Sequence, residues 1–160
     1  MTVLTGTRVV ELASDAGALA GKLLADMGAD AVLVEPPAGA AARAYPPFLD
    51  DQPGPERSLH WWHFHTSKRG ITLDLSRPEE REQLRVLLSR SDVFIENNPP
   101  QRMRDWGLDY AALSALNSDL VMISITPFGQ TGPYSDWNGY DLNAYHLSGA
   151  SSRYCGRPGE

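Results

Sequence analysis

The residues best suited to chemistry sit in short polar stretches that each follow an apolar run: residues 13–17, 35–43, 75–77, 96–104 and 126–141. They are rich in Gly, Pro, Asn and Arg. Basic side chains in loops are charge-assisted donors to phosphate or carboxylate oxygens, and eight of the fourteen Lys and Arg residues lie between Lys68 and Arg104. Lys68, Arg69, Arg102 and Arg104 can therefore serve an anionic ligand or stand as solvated loop charges, whereas Arg81, Arg85 and Arg90 read as the solvated face of a helix. His60, His63 and His65 alternate with aromatics, and His146 stands far away with no Cys, Asp or Glu cluster at ligand spacing. The reading is an aromatic layer and no metal site. Cys155 has no partner motif for a nucleophile and reads as a buried or incidental thiol. No G-x-S-x-G, G-x-G-x-x-G or Walker A pattern occurs, which disfavours serine-nucleophile, dinucleotide and P-loop chemistry. The run Thr126-Pro-Phe-Gly-Gln-Thr-Gly-Pro-Tyr134, with Gly139-Tyr-Asp141, has the composition of a shaped pocket wall.

Loops of this kind need strands and helices to hold them. Residues 8–12 and 31–34 are short apolar runs of strand length. Between them, residues 16–27 place Leu19, Leu23 and Leu24 at helical spacing, with Ser14 or Asp15 as N-cap and Gly28 as the C′ glycine. Strand, helix, strand predicts a parallel βαβ unit. Residues 36–60 carry Pro46, Pro47, Pro53 and Pro55 and predict an irregular functional or mobile loop. Residues 71–75 alternate like a strand. Ser76-Arg-Pro-Glu79 has capping-box form ahead of a helix reaching about Ser89, with Leu84, Leu87 and Leu88 inward. Residues 93–95 and 120–125 predict further strands, and residues 110–116 a short helix. The fold class is α/β, an open, mainly parallel sheet with flanking helices, in which ligands gather at the carboxyl ends of the strands.

Composition narrows the function. The 160 residues are 42% hydrophobic and 21% charged, which is globular. With 14 basic against 20 acidic residues the net charge is −6, which argues against a nucleic-acid or anionic-membrane partner. One cysteine fits a reducing compartment. No basic n-region followed by an apolar run opens the chain, and no stretch approaches a membrane span. The expected location is cytoplasmic.

The segments Leu4-Thr-Gly-Thr-Arg-Val-Val-Glu-Leu12, Leu23-Leu-Ala-Asp-Met-Gly-Ala-Asp30, Val34-Glu-Pro36, Ser67-Lys-Arg-Gly-Ile-Thr-Leu-Asp-Leu75, Asp92-Val-Phe-Ile-Glu-Asn97, Trp106-Gly-Leu108 and Phe128-Gly-Gln-Thr-Gly-Pro-Tyr134 occur in one order. In that order, with Gly139-Tyr-Asp-Leu-Asn and Ser148-Gly149 following, the chain resembles the family III CoA-transferases, the formyl-CoA and carnitine CoA-transferase group, over nearly its whole length. The resemblance implies a Rossmann-like amino-terminal domain that binds coenzyme A over residues 1–160, with no metal, and an interlocked homodimer in the intact protein. Its coenzyme A contacts fall on Asp15, Ala16, Leu73, Asp74, Leu75, Ser76, Asn97, Asn98, Pro99, Arg104, Asn138, Gly139, Tyr140 and Asp141. Arg43, Lys68, Arg77 and Arg104 are the candidate phosphate cations, since Pro36, Ser76 and Asp105 stand where the family places basic residues.

The implied reaction moves coenzyme A from an acyl-CoA to a carboxylic acid through an aspartyl intermediate. The family's aspartate falls beyond the segment matching Ser148-Gly149, so the expectation is that residues 1–160 lack the nucleophile and that the domain is incomplete. No catalytic residue is assigned within it, Asp141 matching a binding position. Tyr140 stands where the related racemases carry a catalytic histidine, which favours a transferase. The alternatives are a non-catalytic coenzyme A-binding or assembly module and an acyl-CoA racemase relative.

Overall fold

A computed structural model describes residues 2–150, and the chain divides into two compact units between Ile125 and Thr126. Cys155 lies outside the described residues. The first unit is a five-stranded, all-parallel sheet: β1 (Arg8–Leu12), β2 (Asp30–Glu35), β3 (Lys68–Thr72), β4 (Val93–Glu96) and β5 (Val121–Ser124). Their order is β3-β2-β1-β4-β5. The chain winds one way from β1 to β3 and the other way from β4 to β5. The carboxyl ends of β1 and β4 are therefore the switch point, where an open α/β sheet parts to leave a crevice.

Among the described residues, six α-helices accompany the strands: α1 (Asp15–Asp26), α2 (Leu59–His65), α3 (Pro78–Leu88), α4 (Pro100–Trp106), α5 (Tyr110–Leu116) and, in the second unit, α6 (Asp141–Leu147). One face of the sheet meets α3, α4 and α5 through Val10, Phe94, Leu84, Leu88, Met103 and Leu113. The other meets α1 through Val9, Ala25, Ala31 and Ile95. Burial on both faces explains why the central strands read as continuous apolar runs.

Ser14 is the N-cap of α1, its Oγ accepting from the Gly17 N–H at 3.1 Å. The inward face of that helix differs from the expected leucine stripe. Gly17, Ala18, Gly21 and Ala25 are buried, and Leu19 and Leu23 are each 52% exposed. The cause is Glu11 on β1, whose carboxylate lies under the helix. A Cβ on Gly21 would sit 1.7 Å from Glu11 Oε2, so only small residues allow the approach.

Three further expectations are corrected. The third strand is three residues earlier than the alternation of residues 71–75 suggests. Thr72 pairs with Glu35, the Leu73 N–H still reaches Glu35 O at 2.9 Å, and the chain then turns at Asp74. Asp74 Oδ1 accepts from both the N–H and the hydroxyl of Ser76, and Glu80 Oε2 accepts from the Asp74 N–H. These bonds replace the expected Ser76–Glu79 capping box. Pro78 does open α3, but its N-cap, Arg77, has no side-chain capping bond. Finally, α2, α4 and α6 fall where no helix is expected. Ser58 caps α2 by accepting from the Trp61 N–H at 3.1 Å, and Gly107 at φ +64° ends α4.

The loop over residues 36–58 contains two short 3-10 turns, Ala41–Ala44 and Leu49–Asp51. Ser58 ties it down, donating to the carbonyls of Ala42 and Tyr45. In the second unit Phe128, Tyr134 and Trp137 form an aromatic cluster, with Tyr134 and Trp137 centroids 4.6 Å apart. Gly139 is confined there, since a Cβ would lie 2.4 Å from Pro127 Cβ. No helix among the described residues is long and apolar enough to cross a membrane.

Candidate functional site

A cleft of about 380 Å³ opens at the carboxyl ends of β1, β2, β3 and β4. Leu12, Ala13, Val34 and Pro36 form its floor, where β1 and β2 end. Leu73, Asp74, Leu75 and Ser76 form one wall, held by the Asp74–Ser76 turn. The strand shift thus has a consequence for the site: these four residues are a loop beyond the end of β3, free of the sheet's hydrogen bonding except at Leu73. Asn97 and Asn98 form the wall at the switch point, and Arg102 and Trp106 close it from α4.

The walls are fixed by polar groups, Glu96 among them buried. Glu96, fully buried at the end of β4, accepts from the Asn98 N–H at 2.7 Å and so shapes the Asn97–Asn98 turn. Burial raises its pKa above the usual carboxylate value, against the hydrogen bonds from Ser124 and Asn98. Glu35, which lines the cleft, has both carboxylate oxygens on Arg43: Oε2 on Nε at 2.7 Å and Oε1 on Nη2 at 2.8 Å. That pairing holds Glu35 below the usual carboxylate range, against the effect of its burial. The Ser76 hydroxyl and N–H likewise hold Asp74 low. Arg102 stacks its guanidinium 5.6 Å from the centre of the Trp106 ring. The cleft therefore offers apolar floor, an indole face, amide groups and one guanidinium, a donor set suited to a ligand with both apolar and anionic parts.

Of the sequence-selected residues, the cleft gathers Leu73, Asp74, Leu75, Ser76, Asn97 and Asn98. Pro99 is the N-cap of α4 next to it, and Arg104 lies on that helix with Nε and Nη2 directed to Gln101 Oε1. Asp15 and Ala16 are exposed at the start of α1, where Asp15 Oδ2 accepts from the Tyr45 hydroxyl at 2.8 Å. Asn138, Gly139, Tyr140 and Asp141 belong to the second unit, with the Tyr140 N–H on Asn143 Oδ1 and Asp141 opening α6.

Three candidate phosphate cations pair with carboxylates away from the cleft or at its back. Lys68 is not in a loop but on β3, with 1% of its side chain exposed. Its Nζ lies 2.7 Å from Glu11 Oε2 and 3.0 Å from the Ala18 carbonyl. Arg43 is held by Glu35 and Glu56. Arg77 faces Glu79 and Glu80 at the surface. Trp106 is a cleft residue outside the sequence-predicted contacts, and Arg102, a candidate loop cation in the sequence, stands beside it on α4. Their signal is Pro100 at a first helical position and Gly107 past the last, which bracket a one-helix spacing of four between them. The histidines hold no metal-like arrangement: no group of three or more His, Cys, Asp or Glu that could bind one occurs among the described residues. His60 and Phe64 pack at 4.7 Å, and Trp61 and His65 at 4.0 Å, as layered rings.

Comparison with known proteins now bears on the chemistry. The family model described as CoA-transferase family III matches residues 4–160. The chain is 45% identical over 153 residues to a succinate–glutarate CoA-transferase of Agrobacterium fabrum, covering 93% of this chain and 38% of that protein. It is 39% identical over 142 residues to the BbsE subunit of succinyl-CoA:(R)-benzylsuccinate CoA-transferase of Thauera aromatica, covering 89% and 35%. Among solved structures, a CAIB/BAIF family protein from Brucella suis superposes with a TM-score of 0.82 at 42% identity, covering 92% of this chain and 39% of that one. The chain thus spans little more than a third of the length of these relatives.

Proposed function

Since the chain belongs to CoA-transferase family III, we propose that its cleft binds coenzyme A and that the whole protein transfers coenzyme A from an acyl-CoA to a carboxylic acid. The observation that carries this reading is the meeting of Leu73–Ser76 and Asn97–Asn98 with Arg102 and Trp106 at the switch point of the sheet. The Trp106 face suits an aromatic base, Arg102 a phosphate, and the apolar floor an extended thioester arm. Asn138–Asp141, Asp15, Ala16, Pro99 and Arg104 are further coenzyme A contacts in this reading.

The reaction proceeds through an aspartyl intermediate whose nucleophile is outside the cleft residues. A carboxylate oxygen attacks the thioester carbonyl, the C–S bond breaks, and coenzyme A leaves as a thiolate, giving a mixed anhydride. The thiolate then attacks the aspartyl carbonyl, expelling the first acid and forming an enzyme thioester that the acceptor acid resolves by the same two steps in reverse. Between steps the thiolate must stay bound, and a cleft that holds the rest of coenzyme A keeps it at high effective concentration. Curated relatives carry names for transfer from succinyl-CoA to glutarate, D-citramalate and L-malate, and some are alpha and beta subunits. Short dicarboxylic acids as substrates fit these names, and the cytoplasm as the location fits the single cysteine; a homodimer is the assembly in this reading.

The test is isothermal titration of this chain with coenzyme A. Saturable binding is expected, with Arg102→Ala weakening it about tenfold or more, the range of a lost charge-assisted bond, while the thermal midpoint stays unchanged. Absence of saturable binding, or equal affinity in Arg102→Ala, overturns the reading.

A further inference from the structure

The loop between β2 and α2 borders a second, open cavity, of about 430 Å³. Its walls are small and apolar, with Ala40, Ala41, Ala44, Phe48 and Pro55 among them, and Arg43 is its one charged lining residue. The guanidinium is fixed from behind. Nε and Nη2 form the two-bond pair with Glu35, and the group lies 4.0 Å over the centre of the Trp61 ring. Its remaining edge is held differently. Nη1 lies 2.6 Å from Glu56 Oε1 and 3.4 Å from the Pro55 carbonyl. The Glu35 side chain is 10% exposed, whereas that of Glu56 is 77% exposed.

That asymmetry decides what each pair does. The inner pair is shielded, bidentate and difficult to exchange. The outer one joins Arg43 to a solvated glutamate and is of the kind that contributes little. Another carboxylate can take the place of Glu56 oxygen for oxygen, with no charge left unpaired on Arg43. Around that edge lie alanine, proline and phenylalanine surfaces, which suit a few methylene groups and offer no further donors for a dianionic phosphate. Glu35 lines the coenzyme A cleft and Arg43 lines this cavity, so the ion pair joins the two sites.

We propose that this cavity is a subsite for the carboxylate at the far end of a short acyl chain, with Arg43 as the reading cation and Glu56 as a built-in competitor that occupies it when no ligand does. The subsite selects dicarboxylic over monocarboxylic acyl groups. That part rests on the coenzyme A reading of the neighbouring cleft, whereas carboxylate binding by the cavity does not.

The probe is glutarate, titrated into this chain at matched ionic strength and followed by calorimetry and by the NMR signals of the Arg43 guanidinium. Saturable binding is expected, with glutaramide, its uncharged analogue of equal length, not binding. Glu56→Gln removes the competitor and should tighten glutarate roughly two- to five-fold, the range set by an exposed ion pair. Ala44→Leu fills the cavity from its exposed rim and should abolish binding. Equal glutarate affinity in wild type and Glu56→Gln overturns the proposal, as does binding of glutaramide as tight as glutarate. The Glu56→Gln comparison decides the matter even if Ala44→Leu disturbs the loop. Coenzyme A titrated in parallel separates the two readings. Coenzyme A binding without glutarate binding removes the subsite alone, and glutarate binding without coenzyme A binding removes the cleft reading alone.

Discussion

Lys68 and His65 are brought together by the turn between α2 and β3, with Lys68 Nζ 3.3 Å from His65 Nδ1. Burial first, and the Lys68 charge second, hold the imidazole pKa down at about 4. An unfolded chain binds that proton near 6.5. The contribution of His65 to stability is therefore fully present above about pH 6.5 and is lost as pH falls toward 4, because only the unfolded state takes up the proton. Glu11 works in the opposite sense. Burial raises it to about 7 although Lys68 draws it back, so its contribution is present at acid pH and lost as pH rises through 7. His65→Phe keeps a ring against Trp61 and removes only the first effect. Relative to wild type, this variant should gain stability as pH falls from about 7 to about 5, read as the difference between urea midpoints. A difference independent of pH would show that His65 binds its proton equally well in the folded and unfolded chains.

At the scale of elements, α1 is defined by what lies beneath it. A helical glycine replaced by alanine ordinarily gains about 0.5–1 kcal/mol. Gly21→Ala should instead destabilise by about 2–4 kcal/mol in urea denaturation, because the new methyl meets the Glu11 carboxylate and separates it from Lys68. A stabilised variant would mean that the helix can lift off the pair at little cost. The same pair explains why the leucines of α1 mislead: helical spacing in Leu19, Leu23 and Leu24 is genuine, but the buried charge hidden in Val9-Val-Glu-Leu12 decides which face turns inward. Strands β1, β2, β4 and β5 and helices α1, α3 and α5 are legible as apolar runs with their punctuation. The seven-residue helices α2, α4 and α6 are not, since they complete too few turns for periodicity to emerge, and α5, of the same length, is legible from its run of Ala and Leu. β3 is misplaced because its residues 69–72 are exposed on an edge strand. The site inherits this pattern. Leu73–Ser76 and Asn97–Asn98 are legible as loops after strands, whereas Arg102 and Trp106 become neighbours only once α4 exists. Lys68 reads as a free loop cation until β3 carries it under α1.

For the molecule as a whole, the division into units separates two tasks. The sheet, both layers of helices and every residue lining the cleft proposed to bind coenzyme A lie within Met1–Ile125. The last bond of that unit is the Ile125 N–H on the Glu96 carbonyl at 2.9 Å, continuing the ladder between β4 and β5. Among the described residues, its three apolar clusters are built from residues up to Ile125. A chain ending at Ile125 should therefore unfold in one cooperative transition, as a domain with its own core does. It should also retain saturable coenzyme A binding, because Arg102, Trp106 and the two loop walls remain. Asn138–Asp141 are absent from that shorter chain, so an affinity lower by about tenfold would assign them one charge-assisted contact's worth of binding. Calorimetric unfolding and titration on the same sample distinguish the outcomes. A cooperative transition without coenzyme A binding moves the site's essential contacts to the second unit, and the lack of any cooperative transition makes the second unit part of the first unit's core.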